Sequence, residues 1–340
     1  MDDSRFGAWD IKMKRRAFLG LVGGAAAWPL VARAQQNEPV RRVGILMSTA
    51  ETDPLEVSSV EAFKGELAKL GWVHGKNLDL SVRWGAADSA RMTANARELV
   101  ALGPDVVLAK GATVPSARQA TTSIPIVFVS LPDPVVESLV GSFSHPVGNI
   151  TGFTTYEHGL VGKRLSLLKD LSPRISRVLY LRSRQSGVAT QPLLERVMED
   201  ARIAGLSVTD APAQNQQEID GALQAFAATP AGGLLVAFDA FTAVHRQSIV
   251  DLAARYRLPA VYPARNYSSY GGLCSYGFDQ DQQFREAASY VARLLSGSKP
   301  AELPVQTPTK FELSLNLKTA KALDLAISPT LLASADVITE

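Results

Sequence analysis

Cysteine is almost missing from this chain: Cys274 stands alone among 340 residues, so no internal disulfide can form. It sits in an apolar, strand-like run between Leu273 and Ser275, the setting of a buried structural thiol. Histidine is scarce too. His74, His145, His158 and His245 show neither the i, i+4 spacing of a zinc-protease helix nor neighbouring cysteines, so no metal site is assigned. An excess of one charge is absent, with 35 Lys plus Arg against 33 Asp plus Glu. No basic stripe or polybasic tail remains to hold nucleic acid. Glycine-rich phosphate loops are lacking: Gly44 lies inside the first expected strand, and the loop Ser48 to Pro54 contains no glycine, which rules out a dinucleotide fingerprint there. Arg184-Gln185-Ser186-Gly187 lacks the preceding glycine of a nucleophile elbow. No catalytic residue and no cofactor is therefore assigned.

What is present begins with a leader. Lys14, Arg15 and Arg16 precede a soft apolar run, Ala17 to Ala32, that ends in Ala32-Arg33-Ala34. A basic segment, an apolar segment and small residues at a cleavage site read as an export signal over residues 1–34, cleaved near Ala34. The paired arginines followed by Phe18 and Leu19 resemble a twin-arginine signal, with Lys14 and Gly20 departing from the usual pattern and Sec export left open. Gly20, Gly23, Gly24 and Pro29 interrupt the run, which falls short of the roughly 20 apolar residues of a membrane span. The mature chain is expected in the periplasm, soluble and monomeric. Met13 is an alternative start.

Beyond the leader, strand and helix patterns alternate. Short apolar runs at Arg42 to Met47, Val106 to Ala109 and Ile126 to Val129 read as strands covered on both faces, and Leu78 to Trp84 alternates as a half-buried one. Between them lie helices: one with a capping-box spacing at Ser58 to Glu61 that runs to Gly71, one over Met92 to Leu102, and a short one around Ser116 to Thr121. The glycine-bounded turn at residues 148 to 152 breaks the series. A second series follows, with strands at Val178 to Leu181, Leu206 to Val208, Gly233 to Phe238 and Ala260 to Tyr262, and helices at Leu165 to Leu171, Leu193 to Ala204, Ile219 to Ala227 and Val244 to Tyr256. Two successive βα series predict two doubly wound α/β lobes. An amphipathic helix over Gln280 to Leu295, a strand at Phe311 to Leu315 and a helix over Leu317 to Leu325 close the chain.

Open α/β sheets bind ligands outside the carboxyl ends of their strands. The loops there supply Ser48, Thr49, Lys110, Gly111, Thr113, Ser130, Asp133, Arg182, Asp239, Tyr262 and Arg265, with Ser183, Phe241 and Asn266 beside them. Hydroxyls, glycine amides, a few charges and aromatic rings suit a small polar molecule. Ser48, Thr113 and Ser130 are equally suited to capping the helices that follow.

The mature chain also resembles a known family. Arg42-Val43-Gly44-Ile45-Leu46, Phe63-Lys64-Gly65-Glu66-Leu67 to Leu70-Gly71-Trp72, Pro104-Asp105-Val106-Val107, Ile124-Pro125-Ile126-Val127-Phe128, Asp133-Pro134-Val135, Gly148-Asn149-Ile150-Thr151-Gly152, Pro259-Ala260-Val261-Tyr262, Gly271-Gly272-Leu273 and Ser275-Tyr276-Gly277 are similar to segments of the ABC transporter substrate-binding proteins of tryptophan/tyrosine type, in the same order. The resemblance implies a type I periplasmic binding-protein fold, with two Rossmann-like lobes joined by three crossings and a ligand held in the cleft. It implies an N-terminal lobe of residues 41–150 plus 277–305, a C-terminal lobe of 151–276 plus 306–340, and ligand-facing loops at Ser48, Thr113, Asp133, Asp239 and Tyr262. Arg182-Ser183-Arg184 stands where relatives often carry Asn-Pro, and Lys110 opens a loop that is commonly uncharged. Those two added cations either favour a carboxylate or phosphate ligand or point outward.

The expected function is the periplasmic solute-binding component of an ABC importer, which takes a small amino-acid-like, aromatic or carboxylate solute and delivers it to permease subunits. A sensing module for a membrane receptor kinase and an exported enzyme using Asp133 and Asp239 are the alternatives. A regulator of lactose-repressor type would need DNA-binding helices where the leader stands.

Overall fold

The computed structural model describes residues 39–186 and 191–340. The expected leader and Gly187 lie outside the described residues. Residues Arg41–Glu340 form one compact unit built around two sheets.

The first sheet has five parallel strands in the order β2-β1-β3-β4-β5: β1 (Arg41–Met47), β2 (Leu78–Trp84), β3 (Val106–Lys110), β4 (Ile126–Leu131) and β5 (Ile150–Thr154). The inner strands β3 and β4 are buried along their whole length, as a sheet covered on both faces requires. One face packs on α1 (Pro54–Lys69) through Val60, Phe63 and Leu67. The other packs on α2 (Ser89–Ala101), α3 (Val114–Ala120) and α4 (Asp133–Val140) through Ala96, Leu99, Ala117, Val136 and Val140.

The start of α1 differs from expectation. Asp53 is the N-cap, accepting from the Leu55 N–H at 3.1 Å, with Pro54 at the first helical position. An Asp-Pro pair starts a helix more strongly than a serine four residues later, because proline's missing N–H costs nothing there. Ser58 and Ser59 therefore sit within the helix, and both hydroxyls donate to Asp281.

The second sheet has seven strands in the order β12-β11-β10-β9-β8-β6-β7: β6 (Arg177–Ser183), β7 (Ser207–Ala213), β8 (Gly232–Val236), β9 (Ala260–Tyr262), β10 (Cys274–Phe278), β11 (Phe311–Asn316) and β12 (Val337–Thr339). β6 to β10 run parallel, β11 is antiparallel to β10, and β12 runs parallel to β11. Helices α5 (Glu157–Leu171) and α6 (Gln191–Ile203) cover one face through Leu165, Leu168 and Val197. On the other face lie α7 (Gln216–Ala227), α8 (Ala240–Val244), α9 (Arg246–Arg255) and α10 (Asn266–Ser269). The helix expected over Val244 to Tyr256 is α9, beginning at Arg246, and a short helix that the sequence did not suggest, α8, precedes it up to His245, its start capped by Asp239 through the Thr242 N–H at 2.7 Å. Cys274 is fully buried in this core, and burial pushes its thiol up to about 12.

The chain crosses between the sheets three times. It leaves the first sheet after Thr154, not at residue 150, because Ile150–Thr154 is the fifth strand of that sheet. Gly152 permits the pairing: a Cβ there would lie 2.0 Å from the Phe128 carbonyl oxygen. The chain returns after Phe278 into α11 (Gln280–Leu295), whose Phe284, Ala287, Ala288, Val291, Leu294 and Leu295 pack on the first core. It crosses again between Gln306, bridged to Phe153, and β11. The last expected helix ends at Ala322 as α12 (Leu317–Ala322), and α13 (Pro329–Ala333) and β12 follow it. Among the described residues no helix is long and apolar enough to cross a membrane.

Candidate functional site

The carboxyl ends of parallel strands of both sheets face a cavity of about 400 Å³, walled by residues of both lobes. From the first lobe come Ser48 and Thr49 after β1, Lys110 and Gly111 at the end of β3, and Ser130 near the end of β4. From the second come Ser183, Phe238, Asp239, Phe241, Arg246, Pro263, Asn266 and Tyr267.

Backbone bonds shape the first-lobe wall. The Ala86 and Ala87 N–H groups donate to the Thr49 and Ser48 carbonyls at 2.9 and 2.8 Å, which pins the loop after β2 beside the loop after β1. Ser130 has φ of 55°, an unusual left-handed geometry for a residue with a side chain. Gln283 of α11 holds it: Oε1 accepts from the Ser130 N–H at 2.8 Å and from its hydroxyl at 2.9 Å, and Nε2 donates to the Thr154 carbonyl at 2.8 Å. Lys110 reaches the Glu56 carboxylate, and both are buried. Gln280 donates to Glu56 at 3.3 Å and to Ser59 at 3.0 Å.

On the second-lobe wall, Asp239 accepts from the Thr242 N–H at 2.7 Å and from the Ser183 N–H at 2.9 Å. Burial raises its pKa, and these N–H bonds oppose the rise. Gly277 lets β10 close on β9: a Cβ there would lie 2.1 Å from the Pro263 carbonyl oxygen, so a side chain would displace a residue of the wall. Phe238, Phe241 and Tyr267 give this side an apolar, aromatic surface. An ion pair joins the lobes: Arg246 Nη2 donates to Asp53 Oδ2 at 3.0 Å, with Arg246 buried and Asp53 partly buried.

Of the residues picked out from the sequence, Ser48, Thr49, Lys110, Gly111, Ser130 and Asp239 line the cavity, and so do Ser183, Phe241 and Asn266. Five others do not. The Thr113 hydroxyl is spent on the Leu46 and Lys110 carbonyls at 3.2 and 3.0 Å. Asp133 is in the first turn of α4, and its carboxylate accepts from the Tyr156 N–H at 3.3 Å. Arg182 grips Asp210 through Nε at 2.8 Å and Nη2 at 2.7 Å. Arg265 is paired with Glu312 at 3.4 Å and half exposed. Tyr262 lies in the second core, stacked on Tyr267 at 4.7 Å, where burial raises its phenol pKa. The two added cations thus both have carboxylate partners, and Lys110 alone of them faces the cavity.

Reading the sequence missed Glu56, Gln280, Arg246, Pro263 and Tyr267. A signal existed for the first: Asp53-Pro54 marks a helix N-terminus that brings Glu56 to the mouth of β3. Arg246 follows from Asp239 capping a five-residue helix, which puts the next helix start beside the cleft. Among the described residues no group of three or more His, Cys, Asp or Glu is placed to hold a metal.

Residues 45–339 match the family described as ABC transporter substrate binding protein. The chain belongs to that family. A tyrosine-binding protein of Clostridioides difficile strain R20291 is 24% identical to this substrate-binding protein over 268 residues, covering 78% of this chain and 76% of the relative. A conserved domain protein of Vibrio cholerae superposes with a TM-score of 0.81 at 25% identity, covering 88% of this chain and 100% of that one. The ABC domain from Streptococcus pneumonia in complex with L-Trp gives a TM-score of 0.80 at 22% identity, covering 88% of this chain and 99% of that one. These similarities agree with the two-lobed fold of type I periplasmic binding proteins.

Proposed function

We propose that this protein captures an aromatic amino acid or a close analogue in the interlobe cavity and delivers it, chemically unchanged, to the permease of an ABC importer. The observation that carries the reading is the cavity itself: about 400 Å³ of space closed by both lobes, polar at the strand ends and aromatic along Phe238, Phe241 and Tyr267. That size falls within the range of small-molecule sites, roughly 300 to 1,000 Å³. A flat ring would pack on the aromatic wall while its polar end meets Ser48, Thr49 and Asn266. The relatives' ligands, tyrosine and L-Trp, support the same solute class.

The cycle needs no bond breaking. Ligand bridging both lobes favours the closed arrangement by its differential affinity for it, and hinge motion at the three crossings opens and closes the cleft. The closed form docks on membrane subunits carried by other chains. We infer further that the chain is exported by its leader and works as a monomer in the periplasm.

A thermal-shift screen of the chain from residue 35 onward, against amino acids, purines, small carboxylates and sugars, tests the reading. A true ligand at about a hundred times its dissociation constant stabilises by about 2.7 kcal/mol. L-tryptophan or L-tyrosine should give that shift. A shift with sugars alone would contradict it.

A further inference from the structure

The cavity wall contains a buried cation with an unpartnered donor. Arg246 opens α9 on the second lobe and is 3% exposed. A guanidinium carries five N–H donors in a fixed fork. The structure gives Arg246 a hydrogen bond from Nη2 to Asp53 of the first lobe at 3.0 Å, and Nε is buried with no partner. The rings of Tyr267 and Tyr270 lie 5.3 and 5.1 Å from the guanidinium carbon, which holds the plane by cation–π attraction. The other charges around the cavity are committed. Lys110 is paired with Glu56, and Asp239 receives the Ser183 and Thr242 N–H groups. Two more unpartnered buried polar atoms belong to residues that line the same cavity, Thr49 Oγ1 from the first lobe and Asn266 Oδ1 from the second. A buried donor without a partner is costly unless something completes it, and a guanidinium is shaped for a carboxylate.

We propose that Arg246 is the specificity-determining residue of the cleft: it receives the carboxylate of the solute while Asp53 of the opposite lobe holds its other edge, so one side chain both reads the ligand and fastens the lobes. The ligand class is a small organic carboxylate with a flat apolar remainder. This rests on the cavity being the solute site. Loss of the ligand carboxylate would leave Arg246 incompletely paired in a buried position, which is where selectivity of this kind is largest.

The test is isothermal titration of the mature chain with matched pairs, L-tryptophan against tryptamine and L-tyrosine against tyramine, with indole-3-propionate as a carboxylate lacking the amine. The wild type should bind the carboxylates about a hundredfold more tightly than the amines, the scale for truncating one partner of a buried charge pair. Arg246→Gln should erase that preference. Asp53→Asn keeps the helix cap through Oδ1, and should weaken every ligand while retaining the preference. If Arg246→Gln fails to fold, the wild-type selectivity decides alone. Equal affinity of the wild type for tryptophan and tryptamine, or a preference surviving in Arg246→Gln, overturns this inference and leaves the cavity as the solute site. Binding of none of these compounds overturns both.

Discussion

At the scale of single residues, the same side-chain type does different work according to what lies behind it. Tyr262 ends β9 pointing into the second core, stacked on Tyr267, so Tyr262→Ala should act on stability and not chiefly on ligand. Truncating a buried aromatic costs about 3 to 5 kcal/mol, and the urea midpoint of unfolding should fall accordingly. Asp239 is the contrasting case, a cavity residue whose carboxyl is raised above 3.8 by burial. A raised carboxyl binds its proton more tightly folded than unfolded. Its contribution is thus fully present below the unfolded value and is lost as pH rises through the folded one. Measured against Asp239→Asn, the wild type should lose relative thermal stability as pH climbs from about 3 toward neutrality. An unchanged difference across that range would remove the burial argument. Strand ends were legible in the sequence because apolar runs stop at them, and this placed Ser48, Lys110, Ser130 and Asp239 at the cavity. Side-chain direction and partner were not. Arg182 is committed to Asp210, 28 residues away, and Tyr262 faces the core for reasons of packing that no local pattern records.

At the scale of elements, α11 is the piece that makes the first-lobe wall rigid. The helix itself was plain from its apolar stripe, but its role in the site came only with the fold, since Gln283 reaches Ser130 across 153 positions of sequence. Gln283→Leu would leave the Ser130 N–H, its hydroxyl and the Thr154 carbonyl unpaired. At about 1 to 3 kcal/mol for a buried unsatisfied group, the expected loss is about 3 kcal/mol in chemical denaturation, with weaker ligand binding because Ser130 lines the cavity. Helix starts were the least readable feature. The Asp53-Pro54 start of α1 lies about a turn before the expected one and the start of α9 at Arg246 two residues after it, and each brings a charged residue to the cleft. The strand at Ile150–Thr154 was hidden in the same way, because Gly148-Asn149 and Gly152 read as a turn while Gly152 actually serves the close approach of β5 to Phe128.

At the scale of the whole molecule, two three-layer lobes meet over a cavity to which neither contributes a complete wall. The βα alternation made both lobes legible, since each strand needs a crossover helix to lie parallel to its neighbour. The ion pair between Asp53 and Arg246 was not legible, because nothing local relates two residues 193 positions apart. Its interlobe position predicts that Asp53→Asn shifts the ligand-free ensemble toward the open arrangement, read as a larger radius of gyration in solution scattering. An unchanged radius would mean that the pair does not help to hold the lobes together.

The central claim is that a small solute enters the space between the lobes and leaves it unaltered. Ala264 lines the cavity, and isothermal titration of L-tryptophan and L-tyrosine into the wild type and into Ala264→Trp, a substitution chosen to crowd that space, tests the claim most directly when the ligand is recovered and weighed by mass spectrometry. The account predicts one saturable site in the wild type, its loss in a folded Ala264→Trp, and an unchanged ligand mass. Equal binding by the two proteins, or a converted ligand, would contradict it.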